Sequence, residues 1–162
     1  MVDHVAQVMT QWRRERPDLD PEPQGVIARL HRVAARLTEE LVAVYAEHGL
    51  AEGEFDILAT LRRQGAPFAL TAGELAAQTM VTSGAITKRV DRCVARGWVT
   101  RAPSDTDARG RVIALTDAGQ ELIDAAFTDH LANEERLLAP FSSAERRQLA
   151  ALLERWAEDL GL

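Results

Sequence analysis

Thiols are almost missing from this chain: Cys93 is the single cysteine in 162 residues. That scarcity excludes an internal disulfide and every multi-cysteine zinc motif, and it suits a reducing compartment. Long apolar runs are missing too. None approaches the roughly 20 residues that a membrane-spanning helix needs, and the N-terminal segment is charged and amphipathic rather than a secretory signal. A cytoplasmic protein with no membrane partner is expected. Equally absent are a G-x-S-x-G elbow, a Walker loop, an H-E-x-x-H pair and a dinucleotide fingerprint. No catalytic residue, cofactor or metal site is therefore assigned, and the chain is not expected to be an enzyme. His130, Glu134 and Glu135 share a helix at ligand-like spacing, but His4, His31 and His48 offer no complementary pairing, so a solvated face is expected there.

What is present is ordinary in amount and uneven in placement. Apolar residues make up 46% and charged residues 27%, as in one soluble domain large enough to bury a core. The net charge is −6, yet the stretch from Thr82 to Arg111 carries +4 and leaves −10 for the remainder. An acidic body with one basic segment is the pattern expected when a single face meets phosphates.

Helical spacing organises the first third. Val5, Val8, Met9 and Trp12 predict a short amphipathic helix before the turn-rich segment RPDLDPEPQG. Val26, Leu30, Val33, Leu37, Leu41 and Val44 then step by three and four along a long helix closed by Gly49. A third helix is predicted from Glu52 to Gln64. Beyond it, Leu70 to Gly119 reads as helix, turn, helix, strand, basic loop, strand, which is the order of a winged helix-turn-helix. Thr71 and Glu74 have capping-box spacing at the first motif helix, and Thr82 or Ser83 caps the second. There, Ile86, Val90, Cys93 and Val94 form a buried stripe opposite Gly84, Lys88, Asp91 and Ala95. Cys93 is expected as a packed small hydrophobe, not a redox sensor.

The exposed side of that second helix suits a DNA groove. Small residues at its start, Ser83, Gly84 and Ala85, let the N-terminus approach phosphates or base edges closely. With Thr82, Thr87, Lys88 and Arg92 they form the expected contact set, joined by Arg109 and Arg111 from the loop between two short strands, Trp98–Arg101 and Arg111–Leu115. Thr116 and Asp117 start another long helix that is broken near Pro140. Ser142 and Glu145 start the last one, along Leu149, Leu152, Leu153, Trp156 and Leu160. The helices at both ends hold more apolar surface than a small winged helix covers, so they are expected to pair across a two-fold axis. Such a homodimer places two motifs about 34 Å apart on a pseudo-palindromic double-stranded DNA operator.

The helix order, the segment LTAGELAAQTMVTSGAITKRVDRCVARGWVTR, and the D-x-R wing at Asp107 and Arg109 followed by VIALTDAG resemble the MarR family of bacterial transcriptional regulators. The resemblance covers nearly the whole chain. It implies a mainly α fold with a small β-hairpin wing, forming a single MarR-type domain. Residues 1–48 would hold N-terminal dimerisation helices, 49–115 the winged helix-turn-helix, and 116–162 C-terminal dimerisation helices. It also implies a homodimer and repression relieved by a small, often phenolic or anionic, ligand. Asp107 and Arg109 would pair to shape the wing, with Arg109 entering a minor groove. Ala108 departs from the many relatives that carry a second arginine there, with Arg111 in position to compensate.

A finer resemblance, in Trp12 with RPDLD and in GLAEGEFDIL, is to the urate-responsive members of that family. It implies an effector set of Trp12, Asp56, Arg89 and Arg101. Arginines would donate to the oxygens of an oxidised purine, an aspartate would accept from its ring N–H groups, and an indole would cover its flat face. Independently, Arg89 lies about 85° from the centre of the buried stripe, so it can point inward while Lys88 faces DNA. Duller roles stand beside these: Trp12 as a hydrophobic anchor, Asp56 as a solvent-facing residue opposite Ile57, Leu58 and Leu61, Arg101 as a phosphate contact, and Arg89 as a structural partner of Asp56. Citrate, aconitate or a phenolic compound are alternative ligands. A winged-helix interaction module without DNA binding is the alternative function.

Overall fold

The computed structural model describes residues 3–79, 86–103 and 110–162. The chain divides into two compact units, Met1–Ala43 and Val44–Leu162, the division falling inside one long helix. In the first unit, helix α1 (His4–Glu15) begins where Asp3 Oδ1 accepts the Val5 N–H at 3.0 Å. The other carboxylate oxygen of Asp3 accepts from Arg29 of helix α2 (Gln24–Glu47), and that guanidinium holds the Asp3 carboxyl below the usual carboxylate range. The stripe on α2 is present but largely uncovered: Val26, Leu30, Val33 and Leu37 are all exposed.

The second unit holds the remaining elements. Helix α3 (Glu52–Arg62) is its centre, with Ile57, Leu58 and Leu61 fully buried. Strand β1 (Ala69–Thr71) leads straight into helix α4 (Ala72–Gln78), whose capping box is formed: the Glu74 N–H donates to Thr71 Oγ1 at 3.2 Å, and the Thr71 N–H donates to Glu74 Oε2 at 2.8 Å. Helix α5 (Ile86–Ala95) ends before Gly97, which adopts φ +74°, a conformation that favours glycine. Strands β2 (Val99–Pro103) and β3 (Arg111–Leu115) form the wing.

The sheet has three antiparallel strands in the order β1-β3-β2, with Leu70 opposite Ile113 and Arg101 opposite Ile113 on the other side. Two strands were expected from the sequence. Ala69–Thr71 escaped because three residues carry no readable alternation, and only pairing with β3 makes them a strand. Helix α6 (Asp117–Leu137) starts at Thr116, whose Oγ1 accepts the Gly119 N–H at 3.0 Å and donates to the Gly97 carbonyl at 2.8 Å. Helix α7 (Ser143–Asp159) starts from the reciprocal Ser142 and Glu145 cap, and none of its residues is buried. The fold is mainly α with a small sheet, the architecture of a winged helix flanked by long helices.

Candidate nucleic-acid interface and effector site

Helix α5 is gripped from two directions. Its apolar stripe, Ile86, Val90 and Cys93, is buried, while Thr87, Lys88, Asp91 and Ala95 are exposed. Val94 is corrected: at 39% exposure it lies on the rim of the stripe, one residue beyond Cys93 and turned away by about 100°. On one side, Arg92 Nε donates to Glu54 Oε1 of α3 at 2.7 Å. Towards the wing, Arg101 of β2 forms an ion pair with Asp91 at 2.8 Å. The second motif helix is thereby tied to both the central helix and the hairpin.

Of the residues expected to meet DNA, Thr82, Ser83, Gly84, Ala85 and Arg109 lie outside the described residues, as do Asp107 and Ala108. Thr87, Lys88, Arg92 and Arg111 are exposed, the first three on α5 and Arg111 at the start of β3. Arg111 donates to the Gly110 carbonyl at 3.0 Å.

Of the four effector residues, Trp12 belongs to the first unit, and Asp56, Arg89 and Arg101 belong to the second. Trp12, on α1 in the first unit, is half exposed and borders an open cleft of about 270 Å³ with Leu19, Asp20, Pro21, Pro23 and Gln24. Arg89 turns inward from α5 and lies against the backbone of α3 at Gly53: a Cβ built on that glycine would stand 2.5 Å from Arg89 Nε and 2.6 Å from Cζ. Its Nη1 is buried with no hydrogen-bond partner among the described residues. A buried cationic donor without an acceptor is costly, and an anion is the group that relieves that cost. Asp56, three residues beyond Gly53 on the same flank of α3, is half-buried rather than fully solvent-facing as its spacing alone predicts. The packing of α3 against both α5 and α6 covers much of that helix, which a wheel of one helix does not register.

Arg101 meets α5 at Asp91, two residues and about 200° from Arg89, so it approaches the helix from another side. It lines a cavity of about 240 Å³ between α4, α5 and the wing, with Thr87 and Arg111 at its polar edge and Leu75, Val90 and Ile113 on its apolar wall.

His130 also departs from expectation. Its side chain is 12% exposed, not solvated, and pairs with Glu134 at 3.2 Å. Its ring lies 5.1 Å from that of Phe55 and 5.5 Å from that of Phe127, and Nδ1 is 3.3 Å from the Tyr45 hydroxyl. Tyr45 of α2 and Phe55 of α3 join Phe127 of its own helix in burying it, and the first two are partners that the spacing of one helix does not reveal. Glu135 points elsewhere, to Arg146. Among the described residues, no group of three or more His, Cys, Asp or Glu side chains is placed to hold a metal ion, and no helix is long and apolar enough to cross a membrane. Cys93 is fully buried, and burial, reinforced by the nearby Glu54, pushes its thiol up to about 12.

Gly53 and Glu54 are the functional candidates that sequence reasoning missed. Nothing in the spacing of α3 marks a glycine as the seat of an arginine from another helix. Glu54, in a helix first turn next to Glu52, looks like an ordinary dipole-complementing acid.

Comparison with known proteins bears on this arrangement. The model of the MarR family matches residues 48–110. The transcriptional regulator PecS of Dickeya dadantii (strain 3937) is 43% identical over 93% of this chain and 91% of its own. The solved structure of Sco3205 from Streptomyces coelicolor, a MarR family transcriptional regulator in complex with DNA, superposes with a TM-score of 0.79 at 24% identity, covering 88% of this chain and 89% of that one. Apo MarR from E. coli superposes with a TM-score of 0.66 at 26% identity, covering 80% and 95%.

Proposed function

The chain belongs to the MarR family and is a DNA-binding transcriptional regulator; from that premise, we propose that it acts as a homodimeric repressor released from its operator by a small anionic ligand held at Arg89. The observation that carries this reading is the inward Arg89 side chain, half-buried and with its buried Nη1 short of an acceptor, on the helix that faces DNA. A ligand that draws on Arg89 acts on the recognition helix itself. Ligand and DNA then favour different positions of α5, which is sufficient for mutual exclusion.

Urate is the proposed effector, with Asp56 accepting from its ring N–H groups and Trp12 covering its face. Arg101 belongs to the same set by resemblance. Its place beside the 240 Å³ cavity with Arg111 favours a second reading, a small phenolic or carboxylic anion seated there against Leu75, Val90 and Ile113. On the DNA side, Thr82, Ser83, Gly84, Ala85, Thr87, Lys88 and Arg92 approach one groove, and Arg109 and Arg111 extend from the wing. The exposed apolar residues of α2 and α7, Val26, Leu30 and Val33 with Leu149, Leu152 and Leu153, support a dimer built on the terminal helices. Such a protein acts as a regulator without catalysis in the cytoplasm.

The test is displacement from a labelled duplex carrying the DNA upstream of the protein's own gene. Urate should release the wild type and leave Arg89→Ala bound. Release of both proteins alike would remove Arg89 from the effector site, and release by a phenolic acid but not by urate would favour the cavity at Arg101.

A further inference from the structure

Glu54 belongs neither to the exposed face of α5 nor to the effector set, yet its carboxylate is occupied at both oxygens. Oε2 accepts the Ala51 N–H at 2.9 Å, at the start of α3, and Oε1 accepts Arg92 Nε at 2.7 Å. The two partners differ sharply in setting: the Glu54 side chain is 10% exposed and that of Arg92 is 55% exposed. One end of the pair is therefore anchored in the scaffold, and the other stands at the surface of the recognition helix.

A buried acceptor is costly to leave unpaired, so the contact with Glu54 holds Arg92 firmly. Arginine offers a planar fork of donors, and engaging Nε with one carboxylate fixes the plane in which the Nη groups point. Rotamer freedom is then removed before DNA arrives, which lowers the entropic cost of a phosphate contact. The opposing effect is partial neutralisation of a cation. Because Glu54 lies behind the guanidinium and is shielded from solvent, the orientation is expected to outweigh that loss.

We infer that Glu54 is a positioning residue for DNA binding, which orients the Arg92 guanidinium towards a backbone phosphate from the scaffold side of α5. The inference rests on the reading of α5 as the helix that faces DNA. It adds to that reading a residue that touches no nucleic acid.

The experiment measures affinity, across a salt series, for a duplex selected from a random library by the wild-type protein. Wild type is compared with Glu54→Gln, Arg92→Gln and the double variant. Glutamine at 54 keeps an acceptor for the Ala51 N–H while losing the charge that holds Arg92. Glu54→Gln should weaken binding at least about tenfold and lower the salt slope by about two, as the loss of one phosphate contact in each protomer of the dimer does. Arg92→Gln should do the same, and the double variant should bind no more weakly than Arg92→Gln alone.

Glu54→Gln binding as tightly as wild type or tighter, a weakening with unchanged salt slope, or losses that add in the double variant would each overturn the inference. If Glu54→Gln does not fold, Arg92→Lys decides: it keeps the charge without the planar fork, so a loss close to that of Arg92→Gln supports positioning, and wild-type affinity overturns it. Failure of the wild type to select any duplex would overturn the DNA-binding reading itself, and the inference with it.

Discussion

Gly53 leaves the space that Arg89 occupies: a methyl group there would sit 2.5 Å from the guanidinium Nε. The obstacle is a flexible side chain, not backbone, so Gly53→Ala should fold, with helix propensity favouring alanine modestly, by less than about 1 kcal/mol, in the first turn of α3. Arg89 must leave its seat. Thermal melting is expected to be unchanged or higher, DNA affinity within a few-fold of wild type, and the response to urate weakened at least about tenfold. A wild-type urate response in Gly53→Ala would show that this seat is not where the effector acts.

Gly119 poses the opposite case. A Cβ there would lie 1.9 Å from the Trp98 carbonyl oxygen, which also accepts the Thr116 N–H at 3.1 Å. Backbone cannot give way as a side chain does, so Gly119→Ala should cost about 2 kcal/mol or more, at the upper end of overpacking effects. Urea unfolding with an unchanged midpoint would contradict the close approach of α6 to the Trp98 backbone just before β2.

Burial holds the Cys93 thiol at about 12, far above the range in which a thiolate forms near neutral pH. A thiol reagent at about pH 8 should therefore leave the folded protein unmodified and label it on unfolding, and peroxide should not alter DNA binding. Rapid labelling of the folded protein would reopen a redox role.

Tyr45, stacked 4.0 Å from Phe55, is pushed up to about 12 by burial, with Glu134, Glu52 and Asp56 adding negative charge nearby. The unfolded chain ionises its tyrosine near 10, so the folded state retains a proton that the unfolded state has lost. This contribution to stability is complete below about pH 10 and falls as pH rises towards about 12. Phenolate absorbance reports it directly, because the chain has a single tyrosine. Titration near 10 in the folded protein would contradict this packing.

The local rules that place helices were legible in the residues. Thr71 with Glu74, Thr116, and Ser142 with Glu145 marked helix starts that the structure keeps, because a cap is made by neighbours in sequence. The buried stripe of α5 followed from spacing at Ile86, Val90 and Cys93. Contacts made by residues far apart in sequence did not follow from it. Arg92 on Glu54, Arg101 on Asp91 and Arg89 on Gly53 each join α5 to another element, and no periodicity within one segment encodes the partner. His130 illustrates the same limit, since its burial depends on Tyr45 and Phe55 from other helices.

Regulation by DNA binding stands or falls most directly on the salt dependence of wild-type affinity for the duplex upstream of its own gene. A dimer that places Lys88, Arg92 and Arg111 of each protomer on phosphates should lose affinity linearly on a log–log plot, with a slope of about −5 for these six cations. Affinity that is absent at low salt, or flat across the series, would contradict that mode of action and leave an interaction module in its place.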